Sequence, residues 1–182
     1  MSSQSRLVKV LLALIVSMTS GAVVLIALGN NAPSAGPFSL SVYRQLDPVE
    51  NALASRAPQQ PTRWNSIEIF YSGTKAGNIA QLASLEGLAR SEDINCHFCI
   101  CNGLGGGDGE LLATEKWQMQ WSCVPTQTWY GSSQTIRVCV IADGKTTSAT
   151  DCQRRRTIAI ADALCRKFNI PANAVYLPGS WQ

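Results

Sequence analysis

From Val10 to Gly29 the chain carries no charged residue, and that run divides it into two physically different parts. The run reads Val-Leu-Leu-Ala-Leu-Ile-Val-Ser-Met-Thr-Ser-Gly-Ala-Val-Val-Leu-Ile-Ala-Leu-Gly. A helix needs roughly 20 mostly apolar residues to cross a bilayer. Ser17, Thr19, Ser20 and Gly21 weaken the centre at little cost, because a helix satisfies its own backbone bonds. The competing reading is a cleaved signal peptide that starts on Arg6 and Lys9. Its apolar region should span only about 7–15 residues, and no clear small-x-small cleavage site follows. Residues 10–29 are therefore expected to be a single-pass membrane anchor. Arg6 and Lys9 place residues 1–9 in the cytoplasm by the positive-inside rule. Either reading sends the rest of the chain across the membrane.

Residues 30–62 read as a linker, with Pro33, Pro37, Pro48, Pro58 and Pro61 among polar residues. Such proline density favours extended chain. A short helix around Asp47–Ser55 fits, with Pro48 in its first turn. The folded domain is expected over 63–182. The net charge of +3 is small and unconcentrated, which argues against a nucleic-acid partner. The one basic run, Arg154-Arg155-Arg156, reads as a solvated helix face.

Within that domain the periodicities change from two to about 3.6 and back. Ile67, Ile69 and Tyr71 alternate with Glu68 and Phe70 and predict a strand. Ile79, Leu82, Leu85 and Ala89 predict a helix over 77–90. Asn95–Cys101 reads as a second strand, the glycines of 102–109 as a turn, and Glu110–Thr114 as the return strand of a hairpin. Ile136, Val138 and Val140 mark a strand over 134–142. Thr150 or Asp151 caps a helix running to Asn169, with Ile158, Ala161, Leu164, Cys165 and Phe168 on its apolar stripe. Ala174–Leu177 is a short last strand. Strands alternating with helices, plus one inserted hairpin, imply an α/β fold: a mixed central sheet flanked by helices.

The order of these elements, with several local strings, resembles the N-acetylmuramoyl-L-alanine amidase and peptidoglycan-recognition family over about Trp64–Leu177. Members open on a tryptophan and a strand ending in His-His-Ser/Thr-x-Thr; here the strand reads Trp64-Asn-Ser-Ile-Glu-Ile-Phe-Tyr-Ser-Gly-Thr74. Their Tyr-His-Phe-x-Ile strand and glycine turn have counterparts in Cys96-His-Phe-Cys-Ile100 and Asn102-Gly-Leu-Gly-Gly-Gly-Asp-Gly-Glu110. Glu115-Lys-Trp117 sits where members carry a basic residue and tryptophan, and Asn169-Ile-Pro171 continues the match.

The resemblance implies a zinc hydrolase, but this chain lacks the ligands. Such a site needs about three protein ligands and an open position for water. The first histidine position is Phe70, the next is Tyr71, the second ligand falls at Pro178, and the third beyond Gln182. The family's catalytic tyrosine position is Cys96. The chain has one histidine, His97, so a two-histidine site cannot form. No cofactor is therefore expected. Phe70, Tyr71, Cys96, Tyr176 and Pro178 are the expected groove residues, with no catalytic and no metal-ligating residue assigned.

The seven cysteines all lie in the second half: Cys96, Cys99, Cys101, Cys123, Cys139, Cys152 and Cys165. Outside the cytoplasm disulfides are plausible, and an odd number leaves one thiol over. On a continuous strand His97, Cys99 and Cys101 would share one face and form half a zinc site, completed by Cys123 or Cys139. The plainer reading makes them small buried hydrophobes or disulfide partners. Cys96 and His97 as nucleophile and base fail, because strand neighbours face opposite ways. The glycine turn lacks a P-loop ending. Trp117, Trp121, Trp129 and Tyr130 suit either sugar contact or partly buried core. The expectation is a membrane-anchored, non-catalytic amidase-like domain that binds peptidoglycan or a cell-envelope partner. The alternatives are an active amidase with a non-standard metal site, and a structural or assembly protein.

Overall fold

A computed structural model describes residues 48–124 and 133–181. The expected cytoplasmic segment 1–9, the expected anchor at 10–29, residues 30–47 of the expected linker, and Trp129 and Tyr130 lie outside them. Among the described residues no helix is long and apolar enough to cross a membrane.

The fold is mixed α/β, a five-stranded sheet flanked by helices. The strands are β1 (Ser66–Tyr71), β2 (Phe98–Asn102), β3 (Asp108–Ala113), β4 (Thr135–Val140) and β5 (Val175–Tyr176). The helices are α1 (Val49–Ala52), α2 (Ile79–Leu85), α3 (Glu115–Gln118) and α4 (Asp151–Phe168). The sheet order is β3-β2-β4-β1-β5. Only the β2–β3 hairpin is antiparallel. Its glycine loop turns back where the sequence predicts.

The strand alternation sorts side chains onto two faces. Ile67, Ile69, Phe98, Ile100, Ile136, Val138 and Val140 point to one face, where Ile160, Leu164 and Phe168 of α4 cover them. Trp64 and Trp117 join this core, as do Val49 and Leu53 from the span read as linker. Phe70, Cys99, Cys139 and Leu112 point to the other face, under Leu82 and Ile79 of α2 and Ile94. The register runs Phe70, Cys139, Cys99 and Leu112 in one row across β1, β4, β2 and β3.

Three elements depart from the sequence expectation. The α2 helix covers Ile79–Leu85 rather than 77–90, and Leu85, expected on its apolar face, is exposed. The second strand begins at Phe98 rather than Asn95. The His97 ring accepts the Arg137 N–H, so that donor is taken by a side chain instead of a strand carbonyl. In α4 the buried stripe runs through Gln153, Arg156, Thr157, Ile160, Ala161 and Leu164. Ile158 is off it and exposed, because the stripe is phased by polar residues that an apolar count overlooks.

Candidate functional site

The α2 face of the sheet holds a groove of about 350 Å³, lined by Phe70, Ser72, Leu82, Glu86, Ile94, Asn95, Cys96, Arg137 and Cys139. That volume is in the range of small-ligand clefts, ~300–1,000 Å³. Four segments build it: the end of β1, one side of α2, the turn before β2, and β4.

Charge enters the groove through Arg137. Its Nε donates to Glu68 Oε2 at 2.7 Å and its Nη1 to the Asn95 carbonyl at 2.7 Å. The guanidinium lies over the Phe70 ring, 4.2 Å from the centroid. Glu68 and Arg137 are register partners on β1 and β4, so the sheet itself sets them side by side. Burial pushes the Glu68 carboxyl above its usual range, and the Arg137 hydrogen bond and charge offset part of that. A desolvated pair of this kind is worth more for orientation than for stability.

Of the expected groove residues, Phe70 and Cys96 meet on the groove wall. Tyr71 lies on the opposite face, where its hydroxyl accepts the Trp181 indole N–H. Tyr176 is exposed and sits beside Glu68 in the register, on the sheet face that carries the groove. Pro178 is not among the lining residues, and its carbonyl accepts the Trp181 backbone N–H at 2.9 Å. Sequence reading missed Arg137, Cys139 and the α2 residues. One signal was available: Glu68 and Arg137 are the single charges in two otherwise uncharged strands.

His97 is fully buried and structural. Its Nε2 lies 2.9 Å from the Trp121 carbonyl, and its Nδ1 accepts the Arg137 backbone N–H at 2.9 Å. Those partners fix the neutral tautomer with the proton on Nε2. Burial lowers its pKa to about 4, opposed by the Trp121 carbonyl and aided by the charges of Arg137, Lys116 and Arg63. Trp64 and Trp117 pack edge-on to the ring. The expected row of His97, Cys99 and Cys101 is thus broken: His97 precedes the strand and turns toward the tryptophans.

The donor set does not fit the zinc that the sequence resemblance implies. Phe70 and Pro178 have no side-chain lone pair, and both His97 nitrogens are engaged. Among the described residues no group of three or more His, Cys, Asp or Glu is placed to hold a metal ion.

No protein-family model matches the chain, and no curated protein does. Among solved structures it is similar to the endolysine N-acetylmuramoyl-L-alanine amidase LysCS from Clostridium intestinale URNW. The TM-score is 0.40 and the identity 17%, over 68% of this chain and 74% of that one. A likeness at this level carries no argument about activity.

Proposed function

We propose that this chain is a membrane-anchored, non-catalytic amidase-like protein. Residues 10–29 hold it in the bilayer, and the domain on the outer side binds peptidoglycan in the groove beside Phe70. One observation carries the reading. Phe70 and Cys96, which the sequence resemblance puts at a metal ligand and a catalytic tyrosine, line one groove that offers no metal-binding set. In this reading a ring, a thiol and an ion-paired guanidinium stand in the groove where the resemblance would put the metal site.

The groove chemistry suits a muramyl peptide. Leu82, Ile94 and Phe70 supply an apolar wall for an alanine methyl and lactyl group. Asn95, Ser72 and Glu86 supply polar contacts.

Cosedimentation of the purified full-length chain with insoluble peptidoglycan tests this. The chain is expected to pellet with the wall, and Ser72→Trp, which fills the groove, to abolish pelleting. New L-alanine amino termini are expected to be absent from the supernatant. Hydrolysis accompanied by stoichiometric metal would overturn the non-catalytic reading. A chain that stays soluble beside the wall would leave a structural or assembly role instead.

A further inference from the structure

Four side chains bring oxygen or nitrogen to the groove: Ser72, Glu86, Asn95 and Arg137. Three of them are engaged within the fold. The Ser72 hydroxyl lies 2.8 Å from the Thr74 hydroxyl and accepts the Thr74 N–H at 3.2 Å. Asn95 closes a reciprocal pair with Val124, donating to its carbonyl at 2.6 Å and accepting its N–H at 2.8 Å. Arg137 is committed to Glu68 and to the Asn95 carbonyl. Ser72 and Asn95 can still accept a ligand's hydrogen bond, but neither brings a charge. The Glu86 carboxylate has no hydrogen bond or ion pair among the described residues. It is the one uncompensated charge on the groove wall.

The backbone fixes Glu86 there. It is the C-cap of α2, and Gly87 follows in the left-handed region at φ +68°. The Gly87 N–H donates to the Ser84 carbonyl at 3.1 Å, and the Leu88 N–H to the Ala83 carbonyl at 2.9 Å. This pair of bonds closes the helix end as a Schellman motif. A helix C-terminus favours cations and disfavours a carboxylate. No basic residue stands in the last turn of α2 to offset it. Arg90, four residues on, is paired with Glu92 and Asp93 at 3.7 and 3.4 Å.

We propose that the groove is selective for a ligand that carries a primary ammonium group on an apolar body, and that Glu86 binds the ammonium. Leu82 and Glu86 are one helical turn apart, so both reach the groove from the same face of α2. The apolar body rests on Leu82 and Ile94, and the ammonium meets the carboxylate one turn further along. A ligand carboxylate is repelled from the same place. The inference deepens the peptidoglycan reading, on which it rests for the ligand's source. It restricts the wall fragments that fit to those with a free amino group.

The test uses three probes of one length, n-pentylammonium, pentan-1-ol and pentanoate, titrated into the purified full-length chain. Binding is followed by the NMR shifts of the Leu82 and Ile94 methyl groups. The amine is expected to bind on the order of fivefold more tightly than the alcohol, as suits one solvent-exposed ion pair. Pentanoate should bind most weakly. Glu86→Gln should bring the amine to the affinity of the alcohol while melting no lower than the wild type, and Glu86→Lys should turn the preference to pentanoate. Equal affinities for amine and alcohol, an amine preference that survives Glu86→Gln, or no methyl shift with the amine would each overturn the proposal. The wild-type comparison of the three probes decides should a variant fail to fold. Wall pelleting is scored separately. A chain that prefers the amine but ignores the wall sinks only the peptidoglycan reading, and wall binding without amine preference sinks only the ammonium site.

Discussion

The Arg137 guanidinium lies over the Phe70 ring at 4.2 Å, and both residues face the groove. Glu68 and the Asn95 carbonyl hold the guanidinium in that place from the side. The ion pair is almost dry, with the side chains 6% and 17% exposed. Arg137→Ala would leave the Glu68 carboxylate desolvated and alone. The expected loss is about 3–5 kcal/mol, read as a lower urea midpoint at constant slope. The double variant Glu68→Gln/Arg137→Met should recover much of it. Additive costs would mean that the two residues are not coupled.

His97 makes the fold sensitive to acid. Its folded pKa of about 4 lies below the ordinary 6.5, so the unfolded chain binds the proton first as pH falls. Stability is therefore complete above about 6.5, declines toward 4, and levels off below. The full shift corresponds to roughly 3 kcal/mol. Glu68 works in the opposite sense, because a raised carboxyl pKa adds stability as it protonates. The chain has a single histidine, so one imidazole pattern in an NMR spectrum reports it without assignment. The ring should stay neutral at pH 5 with its proton on Nε2. Titration near 6.5 would refute the assigned hydrogen bonds.

These two residues also show what the sequence made legible. Alternating Ile67, Ile69 and Tyr71, and Ile136, Val138 and Val140, placed β1 and β4 correctly, because one face of each must be buried against α4. The groove was not readable in the same way. Its wall comes from residues 70–72, 82–86, 94–96 and 137–139, which the β1–β4 register and the packing of α2 and Ile94 on the sheet bring together. The start of β2 was misread for a related reason. A side-chain acceptor on His97 replaces one ladder bond, and no period in the sequence records that. Residues 10–29 are the converse case: the sequence speaks clearly there, and they lie outside the described residues.

The glycine loop between β2 and β3 is held against α2, and its glycines are not equivalent. Gly105 has φ +122°, and a Cβ there would lie 2.7 Å from Gln81 Oε1 and 3.0 Å from the Gly77 backbone. Its carbonyl also accepts the Asn78 side-chain amide at 2.8 Å. Gly73 has φ +75° with nothing within 4 Å of the added carbon. Gly73→Ala should cost only the left-handed backbone term, about 1–2 kcal/mol. Gly105→Ala should cost about 3 kcal/mol, because the clash adds to the strain. Thermal melts of the two variants check the order. Equal costs would show that the loop yields away from α2.

Gln153 joins the helix that covers the core to the strands beneath it. It occupies the N3 position of α4, and Thr150 and Gln153 complete a reciprocal capping box. Its Oε1 accepts the Thr150 N–H at 3.0 Å, while its amide donates to the Ile100 carbonyl at 2.9 Å and the Ile141 carbonyl at 3.0 Å. The side chain is fully buried, with its oxygen and both amide hydrogens used. Gln153→Leu keeps the volume and gains apolar surface, yet takes their partner from the Thr150 N–H and the Ile141 carbonyl, while the Ile100 carbonyl keeps the Ile141 N–H at 3.0 Å. Each orphaned group costs about 1–3 kcal/mol, which outweighs the burial of one leucine. The net expectation is a loss of about 3 kcal/mol, beyond the ~1 kcal/mol of a lost cap. Gln153→Glu should lose comparably, since a carboxylate cannot donate to two carbonyls. Thr150→Ala should cost near the capping value plus its 2.6 Å bond to Asp108. Chemical denaturation of the three variants, with hydrogen exchange at the β2 and β4 ends, separates these outcomes. If Gln153→Leu proves neutral, the strand ends do not depend on the helix for their last hydrogen bonds.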